Sequence, residues 1–368
     1  MQQIDIFGNK YNDIPETEGF KYAGSKLKIL PYIFNIISGL EIKTVLDGFS
    51  GSTRVSQAFA KLGYDVISND VAFWSEIFAT AYLLNKEEPK KYQGLIDHLN
   101  GLDGYEGWFS LHYGGIGNNG VKFPFQLKNT MKLDAIRDEI ESIKLTKIEK
   151  AVALTSLILA MDSVDSTLGH YVSYLSDWSP RSYNDMKLRL PKLFINKGNN
   201  TVVRDDVFNT VKKYTVDFAY FDPPYGSNNE KMPPSRVRYD SYYHIWKSII
   251  LNDRPKVFGK ANRREDSRDQ HSASVFEEFR KDNNGKFIAI QAIRKLIRET
   301  NARYILLSYS SGGRATQEEL FEILNESCKL IRAKEIDYRK NVMSNMCWTN
   351  EWINNDNTNY EYLFLVEK

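Results

Sequence analysis

The segment from residue 43 to residue 70 constrains the fold of this sequence more than any other part. It begins with KTVLDGFSG, a short apolar run that ends in an aspartate and two glycines. The next residues, RVSQAFAKLG, place apolar side chains at helical spacing and end at Gly63. A second apolar run, YDVISND, then ends at Asp70. A strand, a helix and a strand in this order predict an α/β fold with a parallel sheet that is covered on both faces.

The rest of the chain separates into a helical part and further strands. Leu133, Ile136, Ile140 and Ile143 mark one face of a predicted helix, and residues 147–161 form another. Strand patterns return later, at 201–208, 216–225, 303–313, 329–337 and 360–368. The last two are predicted to pair as antiparallel strands that close the sheet. We therefore predict one α/β domain from residues 1–74 and 201–368, interrupted by a mainly helical insertion at 75–200.

Composition excludes several classes of protein. The chain is 42% hydrophobic and 26% charged, which is ordinary for a globular protein and excludes disorder and collagen-like repeats. Its longest uncharged apolar stretch, Ala151 to Met161, is too short for a bilayer span of about 20 residues. The N-terminal segment lacks the pattern of a signal peptide. Cys328 and Cys347 are too few for a disulfide scaffold or a cysteine-based zinc site. We expect no membrane association and a cytoplasmic location, in bacterial cytosol or nucleoid.

The sharpest motif is Asp222-Pro223-Pro224-Tyr225, which directly follows an apolar strand pattern. Ligands of open α/β sheets bind at the carboxyl ends of the strands, where this motif would lie. Two consecutive prolines remove two N–H donors, so the loop offers acceptors from the Asp222 carboxylate and the Pro223 carbonyl. Such acceptors fit an amine with two hydrogens to donate, such as the amino group of adenine, and Tyr225 offers a ring for stacking. The alternative is an ordinary exposed turn.

A glycine-containing loop, Asp47-Gly48-Phe49-Ser50-Gly51, lies between the first predicted strand and helix. Its glycines allow close approach to a ligand, and Asp70 after the next strand suits a ribose diol. The spacing is not G-x-G-x-x-G, which disfavours a nicotinamide dinucleotide and favours a nucleoside cofactor without phosphates. An ordinary strand–helix turn would also explain the loop.

A third segment, Lys21-Tyr22-Ala23-Gly24-Ser25-Lys26, precedes a helix predicted to begin near Leu27. A lysine and exposed N–H groups at a helix start can hold a carboxylate or a phosphate. Taken by itself, the segment is better explained as a capped helix with solvated lysines.

Together and in this order, these segments resemble the Dam-type family of DNA adenine N6-methyltransferases. That family carries K-[WY]-x-G-[GS]-K, then [DE]-x-F-x-G, an acidic residue after the next strand, and D-P-P-Y. The matching residues are Lys21–Lys26, Asp47–Gly51, Asp70 and Asp222–Tyr225. The resemblance implies a Rossmann-like methyltransferase fold, a mostly parallel sheet with an antiparallel C-terminal hairpin. It also implies S-adenosyl-L-methionine as methyl donor and a flipped-out adenine of double-stranded DNA as acceptor. Residues 1–74 and 201–368 would be the catalytic domain, and 75–200 the target-recognition insertion.

The resemblance also implies roles for single residues. Asp222 and Pro223 would orient the adenine amino group for direct methyl transfer, and Tyr225 would stack on the base. Tyr309 is a candidate second stacking partner, and a role as a core tyrosine fits it equally well. Tyr22 and Lys26 would contact the methionine part of the cofactor, and Asp70 would bind its ribose. Asp206 would lie at the adenine of the cofactor, and the adjacent Asp205 could take that position instead. The cofactor set is Tyr22, Lys26, Asp47, Phe49, Ser50, Gly51, Asp70, Asp206 and Val207; the catalytic set is Asp222, Pro223, Pro224 and Tyr225.

The net charge of only +2 at first argues against a nucleic-acid partner, but the charge is unevenly distributed. Residues 231–268 contain ten basic and four acidic side chains, a local net charge of +6. Tyr239, Tyr242, Tyr243 and Trp246 are interleaved with them. A basic, aromatic segment just after the Asp222 loop suits phosphate contacts and the gap left by a flipped base. The candidates are Arg236, Arg238, Arg263 and Arg264; the alternative is a solvated charged face.

Other readings remain open from the sequence. Sequence selectivity is predicted to lie in the insertion, including residues 170–185, but nothing indicates which bases are read. RNA adenine or a protein glutamine amide would also suit the catalytic loop, and an idle DNA-binding module would keep the basic segment without the catalytic residues. Neither cysteine follows a proline, which argues against cytosine-C5 methylation, and the histidines show no metal spacing. A restriction endonuclease would be the partner of a modification enzyme but not of an orphan regulator. The oligomeric state is not indicated.

Overall fold

A seven-stranded sheet runs through the chain. The computed structural model describes residues 14–116, 123–175, 177–226, 238–268, 274–337 and 360–368. The strands of the sheet are β1 (Thr44–Asp47), β2 (Asp65–Asn69), β3 (Thr201–Val203), β4 (Thr215–Phe221), β5 (Asn301–Ser310), β6 (Lys329–Asp337) and β7 (Tyr360–Glu367). Their spatial order is β6-β7-β5-β4-β1-β2-β3. Strand β7 is antiparallel to β6 and β5, and the other neighbours are parallel. The predicted fold class is confirmed.

Helices connect and cover these strands. In the described ranges they are α1 (Leu30–Ile36), α2 (Arg54–Lys61), α3 (Phe73–Leu83), α4 (Gln93–Gly101), α5 (Trp108–Tyr113), α6 (Leu127–Ser142), α7 (Lys147–Ser163), α8 (Val207–Lys213), α9 (Tyr239–Tyr242), α10 (His244–Leu251), α11 (Ile288–Glu299) and α12 (Gln317–Ser327). Short strand pairs join Gly114–Gly115 to Phe125–Gln126 and Val257–Phe258 to Arg263–Arg264. No helix in the described ranges is long and apolar enough to cross a bilayer.

Both faces of the sheet are buried by apolar side chains that alternate along each strand. On β4, Phe218 and Tyr220 join one core cluster with α1 and α2, whereas Ala219 and Phe221 join another with α8, α11 and α12. This alternation is the period-two pattern of a strand, and burial on both sides is expected of a parallel sheet. The carboxyl edge of the sheet remains free for loops.

A third core belongs to the helical part of the chain. Helix α7 lies at its centre, since every residue from Ala151 to Met161 is buried. The apolar stretch seen in the sequence is therefore a core helix, and its first turn is closed by a capping box between Thr146 and Glu149. Helices α3, α4 and α6 contribute to the same core.

The helical core also takes in residues from beyond the predicted insertion. Tyr243, Ile245 and Trp246 of the α9–α10 segment are buried among the side chains of α3 and α7. The prediction that Tyr242, Tyr243 and Trp246 belong to an aromatic segment facing DNA is wrong, because their rings are buried in the core. The domain boundaries at 75 and 200 stay a prediction, and the helical core is larger than residues 75–200.

Candidate active site

Three carboxylates lie side by side at the carboxyl edge of the sheet. Strand β1 ends at Asp47, between β4 and β2 in the sheet. Asp222 directly follows β4, and Asp70 follows β2. The sheet order thus brings together three motifs that are far apart in the sequence, as the rule for ligand sites in open α/β sheets requires.

A cavity of about 560 Å³ opens at this edge. Its lining includes the predicted residues Tyr22, Phe49, Gly51, Asp70, Asp206, Val207, Asp222 and Pro224. A narrower space of about 30 Å³ shares part of this lining and reaches Lys26, Asp47 and Ser50. The structure therefore gathers all predicted cofactor residues at two adjoining cavities.

Glycine is required twice in the loop after β1. Gly51 has a φ of +49°, and a Cβ there would lie 2.9 Å from the Tyr22 ring. A Cβ on Gly48 would lie 2.6 Å from the Phe221 ring. The loop is anchored to the next strand because Ser50 Oγ donates to the Asn69 carbonyl at 3.1 Å. A larger side chain at either glycine would force the loop away from the Tyr22 or the Phe221 ring.

The Asp47 carboxylate has one oxygen without a partner in the described part of the chain. Asp47 is 1% exposed; its Oδ2 accepts a hydrogen bond from Ser56 Oγ at 2.6 Å, whereas Oδ1 accepts none. Burial raises the pKa of Asp47 to about 7. A buried acceptor left open beside a cavity fits a cationic group of a ligand, because such a group would favour the ionised carboxylate.

Asp70 is a second acceptor in the cavity. Its oxygens accept hydrogen bonds from the backbone N–H of Gly51 at 2.7 Å and of Ala72 at 2.9 Å. Burial nevertheless raises its pKa. These two bonds fix the carboxylate in one orientation while each oxygen keeps a lone pair for a hydroxyl donor.

The far wall of the cavity is formed around α8. Asp206 is the N-cap of this helix, and its Oδ1 accepts from Phe208 N–H at 2.8 Å. Asp205 also lines the cavity, so the register between the two acids stays a prediction. The buried Val207 lies beside Phe276, whose ring meets Phe49 edge to face at 5.2 Å. A flat apolar ring fits this wall.

The Asp222–Tyr225 loop lies within a buried ionic cluster. Lys26 Nζ is 2.8 Å from Asp222 Oδ2, and it donates to the Tyr225 hydroxyl at 2.8 Å. The same hydroxyl contacts Asp222 Oδ1 and lies 2.7 Å from Glu361 Oε1. Burial raises the pKa of Asp222, and the charge of Lys26 opposes this rise. The prediction that Lys26 contacts the methionine part of the cofactor stays a prediction, and in this structure its ammonium is held by Asp222, Tyr225 and Glu361.

Tyr309 packs against the Asp222–Tyr225 loop. It is fully buried in the core, its ring meets Tyr225 edge to face at 4.9 Å, and its hydroxyl donates to the Tyr225 carbonyl at 3.3 Å. Tyr309 thus has no face for a base to stack on, and the prediction of a second stacking partner gives way to the core-tyrosine alternative. Tyr225 itself is half-buried and keeps its stacking role as a prediction.

The structure describes three of the four arginines predicted to contact DNA, and their surroundings differ. Arg264 is 3% exposed and holds Asp253 through two hydrogen bonds of 2.6 Å, with Asp266 at 3.0 Å. The prediction that Arg264 contacts phosphate is corrected, because both sides of its guanidinium face carboxylates of the chain. Arg263 is half-buried and donates to Ser241 and Ser267 at 2.5 Å. Arg238 is half-buried and Arg236 lies outside the described residues, so phosphate contacts from these three stay predictions.

Replacing Arg264 with alanine is expected to lower the free energy of unfolding by about 2 kcal/mol. This loss is smaller than that for a fully buried ion pair, because the carboxylates of Asp253 and Asp266 are partly solvated. Urea unfolding would measure this loss. Arg280→Ala is the matched control, since Arg280 forms an exposed ion pair with Glu278 and such pairs contribute about 0–1 kcal/mol. Unchanged stability of the Arg264 variant, together with a shallower salt dependence of DNA binding, would instead indicate a phosphate contact.

Several residues of the site escaped the sequence analysis. Tyr239 stacks on Tyr22 at 5.2 Å and lines the cavity, as do Trp74 and residues 274–277. Glu361 enters the ionic cluster from β7. Tyr239 was predicted only as one of the aromatic residues of the basic segment near DNA, not as part of the cofactor cavity. Glu361 stands in a strand whose local pattern carries no signal of function. Only the sheet order places it beside the catalytic loop.

Comparisons with known proteins agree with this geometry. The family model for D12 class N6 adenine-specific DNA methyltransferases matches residues 22–305. Modification methylase StsI from Streptococcus sanguinis is 30% identical over 95% of this chain and 52% of its own length. Type II methyltransferase M.FokI from Planomicrobium okeanokoites is 27% identical over 95% of this chain and 52% of its own. Type II methyltransferase M.NlaIII from Neisseria lactamica is 28% identical over 94% of this chain and 99% of its own.

The relatives differ in how much of them this chain represents. The chain spans about half the length of StsI and M.FokI, and nearly all of M.NlaIII. The family match begins at Tyr22 and includes the glycine loop, Asp70 and the Asp222–Tyr225 loop, so it covers the residues at the carboxyl edge of the sheet. The resemblance found in the sequence is confirmed, and the chain belongs to the D12 class N6 adenine-specific DNA methyltransferase family.

Proposed function

We propose that this chain is a site-specific DNA methyltransferase that transfers a methyl group from S-adenosylmethionine to N6 of an adenine flipped out of duplex DNA. The observation that carries the proposal is the position of Asp222. Its carboxylate lines the large cavity and stands on a proline-stiffened loop at the carboxyl end of β4. The names of the relatives, modification methylase and type II methyltransferase, support the same activity and a restriction endonuclease as cognate partner.

The cavity residues fit S-adenosylmethionine. The open Oδ1 of Asp47, at the narrower adjoining space, suits the ammonium of its methionine part, and Asp70, in the large cavity, suits the ribose hydroxyls. Val207, Phe49 and Phe276 provide an apolar wall for the adenine ring, with the Asp205–Asp206 pair at its edge. When bound, S-adenosylmethionine supplies an electrophilic methyl group on a sulfonium centre.

The catalytic loop would prepare the acceptor nitrogen. The N6 lone pair of adenine is delocalised into the ring, which makes this nitrogen a weak nucleophile. Hydrogen bonds from its two hydrogens to the Asp222 carboxylate and the Pro223 carbonyl would favour a more tetrahedral nitrogen and aim its lone pair at the methyl group. Holding the two reactants in line supplies much of the acceleration.

The reaction also releases a proton. The N6–methyl bond forms as the sulfur–methyl bond breaks, which leaves the nitrogen with one hydrogen more than the neutral product needs. Asp222 would be the carboxylate in contact with that nitrogen, and burial raises its pKa. We propose that it accepts this proton and later gives it to solvent.

A product assay tests this function. The chain would be incubated with methyl-labelled S-adenosylmethionine and, in separate reactions, with plasmid DNA of mixed sequence, RNA, or a protein extract. We expect label in the DNA alone, recovered after digestion as N6-methyl-2′-deoxyadenosine. Label in 5-methylcytosine, in RNA or on protein would contradict the proposal.

A further inference from the structure

Glu361 occupies the catalytic cluster without a role in the chemistry described above. We propose that Glu361 is a positioning residue for methyl transfer, the carboxylate that receives the Lys26 ammonium when the adenine amino group takes its place on Asp222. The inference rests on the proposed function. It assigns a second carboxylate, from the C-terminal strand, to the site formed by the Asp222 loop.

The first observation is that each oxygen of Asp222 already accepts one donor in this structure. Its Oδ2 lies 2.8 Å from Lys26 Nζ, and its Oδ1 contacts the Tyr225 hydroxyl. An adenine amino group that donates to the Oδ2 side of Asp222 therefore competes with the Lys26 ammonium for the same oxygen. Of the two donors, Lys26 is the one on a separate segment of the chain, whereas the Tyr225 hydroxyl belongs to the same proline-stiffened loop as Asp222.

The second observation is that Lys26 cannot be released into solvent. Its side chain is 8% exposed, and a buried ammonium without a partner carries a large desolvation penalty. Glu361 Oε1 already lies 3.4 Å from Lys26 Nζ, so a small rotation of the lysine completes the pair. The ammonium can thus leave Asp222 without losing its counter-charge.

The third observation is that Glu361 is held in place. It is 6% exposed on β7, and its Oε1 accepts a hydrogen bond from Ser308 Oγ at 2.5 Å on the neighbouring strand β5. The Tyr225 hydroxyl lies 2.7 Å from the same oxygen. A carboxylate fixed by two strands and by the catalytic loop is suited to receive a lysine that moves.

Charge also links Glu361 to the titration of Asp222. The negative charge of Glu361 raises the pKa of Asp222, and the positive charge of Lys26 lowers it. The other titratable groups that act on Asp222 or are acted on by it are Asp47, Tyr220, Tyr225 and Tyr239. The pKa values of these three tyrosines are raised well above their ordinary value, so they stay neutral in the working pH range. Neutralising Glu361 should therefore lower the pKa of Asp222.

The test is Glu361→Gln, assayed by single-turnover methylation of plasmid DNA between pH 5 and pH 8 with saturating S-adenosylmethionine. We expect the plateau rate to fall by about 10- to 100-fold, the range for a lost interaction with a charged group. The acidic limb of the pH profile should move to lower pH, and the affinity for S-adenosylmethionine should stay unchanged. Glu361→Asp, which keeps the charge, should restore the position of the acidic limb.

Glu367→Gln is the matched control, because Glu367 lies on the same strand in an exposed ion pair with Arg303. This variant should keep both the wild-type rate and the wild-type pH profile. If the Glu361→Gln variant kept the rate and the pH profile of wild type, the inference about Glu361 would be overturned and the proposed function would not. A lower rate with an unmoved acidic limb, or with a lower unfolding temperature, would overturn it in favour of a purely structural role. No N6-methyladenine from the wild-type chain would overturn the proposed function, and the inference with it.

Discussion

Replacement of Asp222 by alanine is expected to lower the rate of methyl transfer to DNA by about 10³-fold or more, while S-adenosylmethionine still binds. The loss should exceed the 10²–10³-fold that follows from removing one transition-state hydrogen bond, because Asp222 both orients N6 and accepts its proton. A single-turnover assay with saturating S-adenosylmethionine would measure the rate, and calorimetric titration would measure cofactor affinity.

Two further variants serve as comparisons for Asp222→Ala. Asp337→Ala removes an exposed aspartate at the end of β6, and it should methylate DNA at the wild-type rate. Asp222→Asn keeps the shape of the side chain but has no charge and a weaker acceptor. Its rate of methyl transfer should therefore lie between those of wild type and Asp222→Ala. Methylation by Asp222→Ala within a few-fold of wild type would show that the loop after β4 is not the catalytic loop.

The second large effect is expected from Asp47→Asn, which should lower the affinity for S-adenosylmethionine by about 10- to 100-fold. The amide keeps the size of the carboxyl group and a contact to Ser56, but it cannot pair with an ammonium. Calorimetric titration would measure the change. Asp65→Asn, at the start of β2 and outside the cavity, should leave the affinity unchanged.

The affinity for S-adenosylmethionine should also depend on pH, because Asp47 must be ionised to pair with the ammonium. The pKa of Asp47 is raised to about 7, so in the free chain this carboxyl is protonated below pH 7 and must lose its proton to pair with the ammonium. Wild-type affinity should therefore rise by about tenfold between pH 5.5 and pH 7, where the α-amino group of the cofactor, with an ordinary pKa of about 7.7–8.0, stays charged. The Asp47→Asn variant should lose most of this rise. An equal rise in the variant would place the titrating group elsewhere, with Asp70 the nearest candidate.

The positions of Asp47, Asp70 and Asp222 could be predicted from the sequence because local patterns determine them. Each follows an apolar run, and neighbouring parallel strands present their carboxyl ends at one edge of the sheet. The need for glycine at two positions of the loop after β1 could also be predicted, since a close approach needs a residue without a side chain. The structure adds the identity of the neighbours, Tyr22 and Phe221, that enforce this requirement.

The residues that escaped prediction depend on contacts between distant segments. Arg263 and Arg264 are adjacent in the sequence, yet only Arg264 points between Asp253 and Asp266, and a count of charges cannot distinguish them. Trp246 follows several basic residues but is buried against α3 and α7, which belong to another part of the chain. Glu361 joins Asp222 because β7 pairs with β5, and β5 with β4.

The central claim is that the Asp222 loop methylates N6 of adenine in DNA, and the most direct measurement is made on DNA from living cells. Bacteria that lack N6-methyladenine would express either the wild-type chain or Asp222→Ala, and mass spectrometry of their digested DNA would quantify N6-methyl-2′-deoxyadenosine. This nucleoside should be present in DNA of the wild-type strain and absent from DNA of the variant strain. Its absence from both strains, or equal amounts in both, would contradict the account.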